Sequence, residues 1–209
     1  MKDYLIFIDT ETSGLPKKWD SPYSNLDNWP FAIQIAWIIF DKDGKEIKRE
    51  NHYIFEEEFT IDKSSQKIHG ITLDFLREYG IKRKPVLRKL AYDIKKYNPL
   101  IIGHFIELDL HILNVDFKRA GLKHFIAKSN LFCTMLNSRK YAKNPQYRFL
   151  RLPALYKYLF GEDPNNMHNA LTDAEVTAKC FFELVKQGEI DEEDITQQQA
   201  YFIEHIKQL

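Results

Sequence analysis

Tyr4-Leu5-Ile6-Phe7-Ile8-Asp9-Thr10-Glu11, near the start of the chain, is a short apolar run that ends in two carboxylates. Side chains alternate along a strand, so Asp9 and Glu11 are expected on the same side of a buried first strand. Two like charges side by side repel each other, and a bound cation relieves that repulsion and keeps both groups ionised. The pair therefore indicates a metal site, although a strand end that simply meets solvent would carry the same residues.

The middle of the chain offers a third carboxylate. An apolar strand is expected at Leu100–Gly103 and a helix over Glu107–Ala120, which puts Asp109 in the first turn of that helix. The helix dipole favours negative charge at that position. Taken alone, Asp109 could equally be an ordinary helix-start carboxylate, and Glu107 competes for the same role.

The third segment of interest lies near the end of the chain. Asn169 suits the N-cap of a helix expected over Ala170–Lys186, with Asp173 early in that helix and His168 just before it. Both side chains can therefore face one cleft, where a histidine can move protons near neutral pH. Considered by itself, His168 could also be a surface loop histidine.

The composition predicts one sizeable domain that is not broadly basic. The chain has 209 residues, 44% of them hydrophobic, and 30 basic residues balance 30 acidic ones. Any affinity for nucleic acid must then come from a local basic patch and from bound metal ions. Cys133 and Cys180 are expected to be reduced core thiols, which favours an intracellular, cytoplasmic protein. The first apolar run is too short to span a membrane and lacks the layout of a signal peptide.

The order of elements predicts an α/β or α+β layered domain, because strands come first and helices dominate later. One domain is expected over 1–187, with a C-terminal helical appendage of the same domain at 188–209. The expected strands are Tyr4–Asp9, Ala32–Phe40, Glu46–Phe55, Leu100–Gly103 and Leu131–Cys133. The later expected helices are Glu107–Ala120, Thr134–Tyr141, Pro153–Phe160, Ala170–Lys186 and Glu192–Lys207.

Together the three segments resemble the motifs of the DEDDh (DnaQ-like) exonucleases, in the ribonuclease H-like superfamily. Phe7–Pro16 resembles the first motif and His168–Ala174 the third. Gly103–Leu113 resembles the second motif, and this alignment selects Asp109 over Glu107. The order of the motifs agrees as well, and the resemblance covers residues 4 to about 187.

The resemblance implies a ribonuclease H-like fold with a central mixed five-stranded sheet flanked by helices. It implies a metal-dependent 3′–5′ exonuclease that releases nucleoside 5′-monophosphates from single-stranded nucleic acid, with DNA favoured. Two Mg²⁺ or Mn²⁺ ions are implied: Asp9 would bridge them, and Glu11 and Asp173 would complete the shell of the first. Asp109 would hold the second ion through water, and His168 would take a proton from the attacking water.

The resemblance also implies contacts with the 3′ end of the strand. The implied substrate residues are Thr10, Gly14, Leu15, His104 and Phe105. Two positions depart from the family pattern, with Phe105 in place of the usual Asn and Leu108 in place of the usual Phe. Neither is a metal ligand, and both bear on how the terminal nucleotide packs. An exoribonuclease that acts on RNA 3′ ends and a non-catalytic polymerase-associated subunit remain alternatives, and a DNA polymerase is a possible partner of the chain.

Two segments are candidates for the surroundings of the strand. The long loop Pro16–Pro30 is expected to cover one edge of the cleft, with Trp19 and Tyr23 stacking on bases and Trp29 equally suited to ordinary packing. Residues 139–151 form the densest basic and aromatic stretch. This stretch could flank the cleft or form a solvated face with aromatic side chains in the core.

Overall fold

The computed structural model describes residues 2–56, 59–123, 130–142 and 148–206. Its strands are β1 (Tyr4–Thr12), β2 (Ala32–Asp41), β3 (Glu46–Tyr53), β4 (Leu100–Gly103) and β5 (Asn130–Cys133). They form a five-stranded sheet in the order β3-β2-β1-β4-β5. β2 is antiparallel to both β1 and β3, whereas β4 is parallel to both β1 and β5. The predicted mixed five-stranded sheet is therefore confirmed.

Helices pack on both faces of this sheet. They are α1 (Lys63–His69), α2 (Leu73–Tyr79), α3 (Arg83–Tyr97), α4 (Ile106–Arg119), α5 (Thr134–Asn137), α6 (Leu152–Phe160), α7 (Ala170–Lys186) and α8 (Glu192–Ile206). The single helix expected over Thr134–Tyr141 is instead the short α5 followed by a 3₁₀ turn at Ser138–Tyr141. The expected end of the last helix, Lys207, lies outside the described residues.

The alternation of side chains along β1 divides the core into two layers. Ile6 and Ile8 pack in the layer that contains α3 and α4. Leu5 and Phe7 pack in the layer that contains α7. Because the alternation continues to the end of the strand, Asp9 and Glu11 point toward the α7 side of the sheet.

The crossover from β4 into α4 brings the second segment to the end of β1. β1 and β4 are parallel, with Phe7 opposite Ile102, so their carboxyl ends lie side by side. Helix α4 begins only three residues after β4 ends. In open α/β sheets, ligands bind at the carboxyl ends of such strands, and this is the edge where the acidic side chains meet.

The C-terminal helix α8 packs along the outer strand β5. Gln198 accepts a hydrogen bond from the Cys133 backbone N–H at 2.8 Å and donates one to its carbonyl at 3.2 Å. Ile195 and Phe202 of the same helix are buried. The helix therefore covers a sheet edge that would otherwise expose unpaired backbone groups. The domain division at residue 187 stays a prediction.

The two cysteines, Cys133 and Cys180, are free and buried, as the sequence predicted. Throughout the described ranges, no helix has both the length and the apolar character needed to cross a membrane.

Candidate active site

The end of β1 and the start of α7 form a cluster of carboxylates. One oxygen atom from each of Asp9, Glu11 and Asp173 lies within 4.8 Å of the other two. Asp9 and Glu11 come together because they are two residues apart on one strand. Asp173 reaches them from the first turn of α7, where the helix dipole favours an acidic side chain.

Asp109 adds a fourth carboxylate from the first turn of α4. Its side chain is 4% exposed, and Thr10 donates a hydrogen bond to its Oδ1 at 2.7 Å. The competing residue Glu107 is 42% exposed and lies 3.8 Å from the Nε2 atom of His111. The structure therefore brings Asp109, and not Glu107, to the cluster. The hydroxyl of Thr10, an expected substrate contact, is engaged in orienting Asp109.

His168 lies at the entrance to α7 next to the cluster. Its side chain is exposed, and its backbone has a φ of +67°, an unusual conformation for a residue with a side chain. The His168 backbone N–H donates to Asp173 Oδ1 at 3.3 Å. The His168 charge also lowers the pKa of the Asp173 carboxyl, although burial is the larger effect and raises that pKa to about 6.

The electrostatics of the four carboxylates favour binding of a cation. Burial, and then the charges of Asp109, Asp173 and Glu11, raise the pKa of Asp9 well above its usual range. Burial and the charges of Asp173 and Asp109 raise the pKa of Glu11 to about 8. Burial raises the pKa of Asp109 to about 7, against the opposing hydrogen bond from Thr10.

The donor set at this cluster fits a hard divalent cation. Among the described residues, the grouping that could hold a metal consists of the carboxylate oxygens of Asp9, Glu11 and Asp173, with no cysteine or histidine atom in it. Oxygen donors of this kind suit Mg²⁺ and Mn²⁺ better than softer metals. A cation would also displace the protons that the raised pKa values retain.

A cleft of about 330 Å³ opens beside the cluster. It is lined by Thr10, Glu11, Thr12, Leu15, Asp62, Ser64, Ser65, Ile68, His69 and Leu108. Leu15 and Ile68 are 65% and 57% exposed, so the cleft has an apolar rim above an acidic floor. This rim is a suitable surface for the ring of a base.

Gly14 lies where the backbone after the first motif approaches the start of α1. The Asp62 N–H donates to the Ser13 carbonyl at 2.8 Å. A Cβ at Gly14 would collide with the Asp62 carboxylate, so that exposed side chain would have to move.

The two expected substrate residues of the second motif have different surroundings. The Nε2 of His104 lies 3.1 Å from the Leu150 carbonyl, and its Nδ1 lies 3.0 Å from Thr134 Oγ1. Burial lowers the pKa of His104 to about 4, so the ring is neutral and fully engaged inside the protein. Phe105 is half-buried, and its ring centroid lies 5.7 Å from that of Trp19. Both residues are half-buried, but both ring nitrogens of His104 already have partners within the protein.

The loop Pro16–Pro30 is anchored by two of its three aromatic residues. Tyr23 is 7% exposed with its hydroxyl 2.9 Å from His111 Nδ1, and Trp29 is 3% exposed and stacks on His111. The expectation that Tyr23 stacks on bases is therefore wrong, because its ring is part of the core. Trp19 is 41% exposed, and it lies beside Phe105 at the start of the helix that carries Asp109.

Some side chains of the basic and aromatic stretch 139–151 contact other parts of the protein. Lys140 pairs with Glu189 at 2.5 Å, and the Tyr141 hydroxyl donates to the same carboxylate at 2.9 Å. Tyr141 also stacks on Tyr158 of α6. Lys143 and Tyr147 lie outside the described residues. The contacts of Lys140 and Tyr141 favour the alternative of a structural face for this part of the stretch.

A larger cavity of about 950 Å³ lies between the loop Pro16–Pro30 and helices α3 and α4. Two arginines line it, and both pair with the buried Asp116, Arg83 at 3.1 Å and Arg119 at 2.8 Å. Phe31 lies under both guanidinium groups. Both arginines are paired with Asp116 inside the protein, and none of the four clustered carboxylates lines this cavity. We therefore take the smaller cleft as the candidate active site.

The sequence analysis did not assign His69 to the site. It lies at the end of α1, lines the cleft, and accepts a hydrogen bond at Nδ1 from the Ile71 backbone N–H at 3.0 Å. Burial and the nearby charge of His168 lower the pKa of His69. His69 lies far from the three motifs along the chain, which hides its proximity to them in space.

Comparison with known proteins finds a family that matches most of this chain. Residues 6–181 match the RNase_T family, described as Exonuclease. The DNA polymerase III subunit epsilon of Aquifex aeolicus (strain VF5) is 30% identical over 194 residues, which cover 82% of this chain and 88% of that protein.

Two solved structures have a similar fold. E. coli exonuclease I in complex with a dT13 oligonucleotide superposes with a TM-score of 0.69 at 18% identity, covering 88% of this chain and 41% of that one. A 3′-exonuclease, in a structure on 3′-end specific recognition of histone mRNA stem-loop, superposes with a TM-score of 0.68 at 17% identity. That match covers 90% of this chain and 65% of the other. The chain thus spans less than two thirds of either neighbour.

Proposed function

Because the chain belongs to the RNase_T family of exonucleases, we propose that it hydrolyses single-stranded nucleic acid from the 3′ end with divalent metal ions, releasing nucleoside 5′-monophosphates. DNA is the favoured substrate. A relative at 30% identity is a DNA polymerase III subunit epsilon, and a neighbour of similar fold was solved with a dT13 oligonucleotide. Because the first of these proteins is a subunit of a DNA polymerase, the proposal includes a DNA polymerase partner.

The observation that carries the proposal is the meeting of carboxylates from three distant segments. Oxygens of Asp9, Glu11 and Asp173 lie within 4.8 Å of one another, and Asp109 raises the pKa of Asp9 from the α4 side. A group of buried carboxylates that stay ionised destabilises a fold unless cations are paired with them. Binding of divalent cations offsets that cost and matches the chemistry of the family.

Each member of the cluster has a distinct proposed role. Asp9, Glu11, Asp109 and Asp173 would hold two Mg²⁺ or Mn²⁺ ions. When bound, these ions activate water and offset the charge that develops on the scissile phosphate. His168 would accept a proton from the attacking water, which its exposed position beside Asp173 allows. Thr10 would orient Asp109 through its 2.7 Å hydrogen bond.

The terminal nucleotide would lie across the apolar rim. Leu15 is exposed at one side of the cleft, and the Gly14 backbone would approach the sugar. Trp19 and Phe105 together offer a pair of accessible rings beside α4 for an unpaired base. Base stacking is sequence-tolerant because every base has a π face, which suits an enzyme that degrades any strand. His104 and Thr10 would act on the substrate only through the residues that they position.

An exoribonuclease is the second candidate. It is favoured by the similar fold of a 3′-exonuclease whose structure concerns histone mRNA stem-loop recognition. The sugar 2′-hydroxyl is read by local backbone and loop geometry, so the two substrates must be separated by assay. A non-catalytic subunit is disfavoured, because the four carboxylates and His168 are all present.

The decisive assay compares matched 5′-labelled DNA and RNA oligonucleotides of one sequence, with Mg²⁺, Mn²⁺ or excess EDTA. The proposal predicts a ladder that shortens from the 3′ end in metal, faster for DNA, and no shortening in EDTA. Faster decay of RNA would favour the second candidate. A ladder generated from the 5′ end, or no hydrolysis of either strand in metal, would contradict the proposed function.

A further inference from the structure

Strand β2 carries a single polar residue within its buried apolar run. Gln34 is 0% exposed, and its neighbours Ile33 and Ile35 are buried apolar residues. In the register of β1 with β2, Gln34 lies directly opposite Glu11. A buried amide needs partners for both its oxygen and its NH₂ group. The identity of those partners therefore indicates what Gln34 does.

The amide of Gln34 connects the sheet to the first residue of α7. The backbone N–H of Ala170 donates to Gln34 Oε1 at 3.2 Å, and Gln34 Nε2 donates to Asn51 Oδ1 at 2.8 Å. Because a backbone N–H can only donate, the oxygen of Gln34 must face Ala170, which fixes the orientation of the amide. The N–H of Ala170 is one of those that a helix cannot pair within itself.

The segment before Ala170 has one other described hydrogen bond to the sheet, from the Asn169 side chain to the Tyr53 hydroxyl at 3.4 Å. Residues 161–168 are mostly exposed, and His168 has a φ of +67°. A strained conformation of this kind persists only where its surroundings determine it. The His168 N–H donates to Asp173 at 3.3 Å, a contact with α7 and not with the sheet. The anchor at Ala170 therefore adds a direct link to the sheet beside the packing of α7, and both constrain where His168 lies relative to β1.

We infer that Gln34 is a positioning residue for the proposed hydrolysis, an inference that rests on the proposed function. Through Ala170, its carbonyl oxygen fixes the His168 segment to the strand pair that carries Glu11. Gln34 is not among the residues that line the cleft. Its described hydrogen bonds are to Asn51 and Ala170 and not to the oxygens of the candidate metal ligands. Its expected effect is on the rate of the chemical step and not on binding.

The first test replaces Gln34 with methionine, which has a similar length but accepts no comparable hydrogen bond. Gln34→Met should lower kcat by about 10–100-fold, the usual effect of a small misplacement of a reacting group. KM for a short oligonucleotide and the affinity for Mn²⁺ should remain unchanged. Trp37→Phe is the matched control, since it removes a buried hydrogen bond of the same strand, the 3.0 Å bond to Asp93, on the other face of the sheet. This control should retain the wild-type kcat.

Gln34→Glu keeps an oxygen that accepts from the Ala170 N–H, and the Asn51 amide can rotate to donate its NH₂ group to the other oxygen. Because this variant adds a carboxyl group directly opposite Glu11, its readout is the protection of the Ala170 N–H from hydrogen exchange and not kcat. Wild-type protection in this variant, with a low kcat and lost protection in Gln34→Met, would support positioning. An equal kcat for Gln34→Met and wild type, or parallel losses in the Trp37→Phe control, would overturn it.

A readout without catalysis separates this inference from the proposed function. Amide hydrogen exchange at Ala170 and Leu171 should be at least about tenfold faster in Gln34→Met than in wild type, with the sheet core unchanged. If the wild type hydrolyses nothing, the proposed function fails while this anchor is still measured. If Gln34→Met does not fold, Asn51→Ala on the exposed edge of β3 takes its place, with a smaller loss of kcat expected. An unchanged kcat and unchanged exchange in that variant would contradict the inference.

Discussion

Glu11→Gln should stabilise the metal-free protein while it abolishes metal-dependent activity. Burial and the charges of Asp173 and Asp109 raise the pKa of Glu11 from 4.5 to about 8. A carboxyl group with a raised pKa in the folded state opposes folding wherever the unfolded chain holds it ionised. The cost from Glu11 is therefore absent below pH 4.5 and grows as the pH rises toward 8.

The magnitude follows from the size of that shift. At pH 7 Glu11 is mostly protonated in the folded protein and ionised in the unfolded chain, and roughly 2.5 units of pH above the pKa of 4.5 correspond to about 3 kcal/mol against folding. A neutral glutamine of the same shape removes this contribution. The melting temperature in EDTA should then rise by roughly 6–12 °C for a domain of this size. Near pH 5 the difference between the two proteins should fall to about 1 kcal/mol or less, because this pH is close to the pKa of 4.5 that Glu11 has in the unfolded chain.

The assay is urea unfolding of wild type and Glu11→Gln in EDTA at pH 5 and pH 7, repeated at pH 7 with Mn²⁺. Mn²⁺ should stabilise the wild type more than the variant. Glu78→Gln, on the exposed side of α2, is the matched control and should change stability little at either pH. If Glu11→Gln were no more stable than wild type at pH 7 in EDTA, the carboxylate cluster would not be repulsive and the argument for a cation site would fail.

Two further predictions concern proton transfer and strand binding. His168→Ala should lower kcat by about 10²–10⁴-fold and remove the acid limb of the pH–rate profile, with Mn²⁺ affinity unchanged by calorimetry. Loss of metal binding together with activity would mean that His168 is a ligand. Trp19→Ala should weaken binding of single-stranded DNA in Ca²⁺, measured by fluorescence anisotropy, with little loss of stability, because Trp19 is 41% exposed. Tyr23→Ala should do the reverse and lower stability by about 3 kcal/mol, so weaker binding in Tyr23→Ala than in Trp19→Ala would contradict these assignments.

The sequence predicted the features that depend on local periodicity. The alternation of β1 placed Asp9 and Glu11 on one side, and the short β4 followed by α4 brought Asp109 to the same edge of the sheet. The early position of Asp173 in α7 was also predicted from its N-cap, and Asn169 does accept a hydrogen bond from the Leu171 N–H at 3.2 Å. Each of these features is set by residues that are close along the chain.

The sequence could not predict which distant side chains meet. Tyr23 was assigned to the substrate, because nothing near it along the chain reveals that its hydroxyl meets His111 Nδ1. The partners of His104, Thr134 and the Leu150 carbonyl, are also distant along the chain. The amide of Gln34 meets Ala170, a residue 136 positions away. Partner choice of this kind depends on how packed layers align, which spacing along the chain does not encode.

The central claim is that carboxylates meeting at the end of β1 hold the metal ions that hydrolyse a 3′ end. It is tested most directly by digesting 5′-labelled single-stranded DNA with wild type and with Asp9→Ala, purified in parallel, in Mn²⁺ and in EDTA. The account predicts stepwise 3′ shortening and nucleoside 5′-monophosphate release by wild type in Mn²⁺ alone. Asp9→Ala should be inactive yet fold with equal or greater stability in EDTA, because the loss of Asp9 relieves carboxylate repulsion. Substantial hydrolysis by folded Asp9→Ala, or by wild type in excess EDTA, would contradict the account.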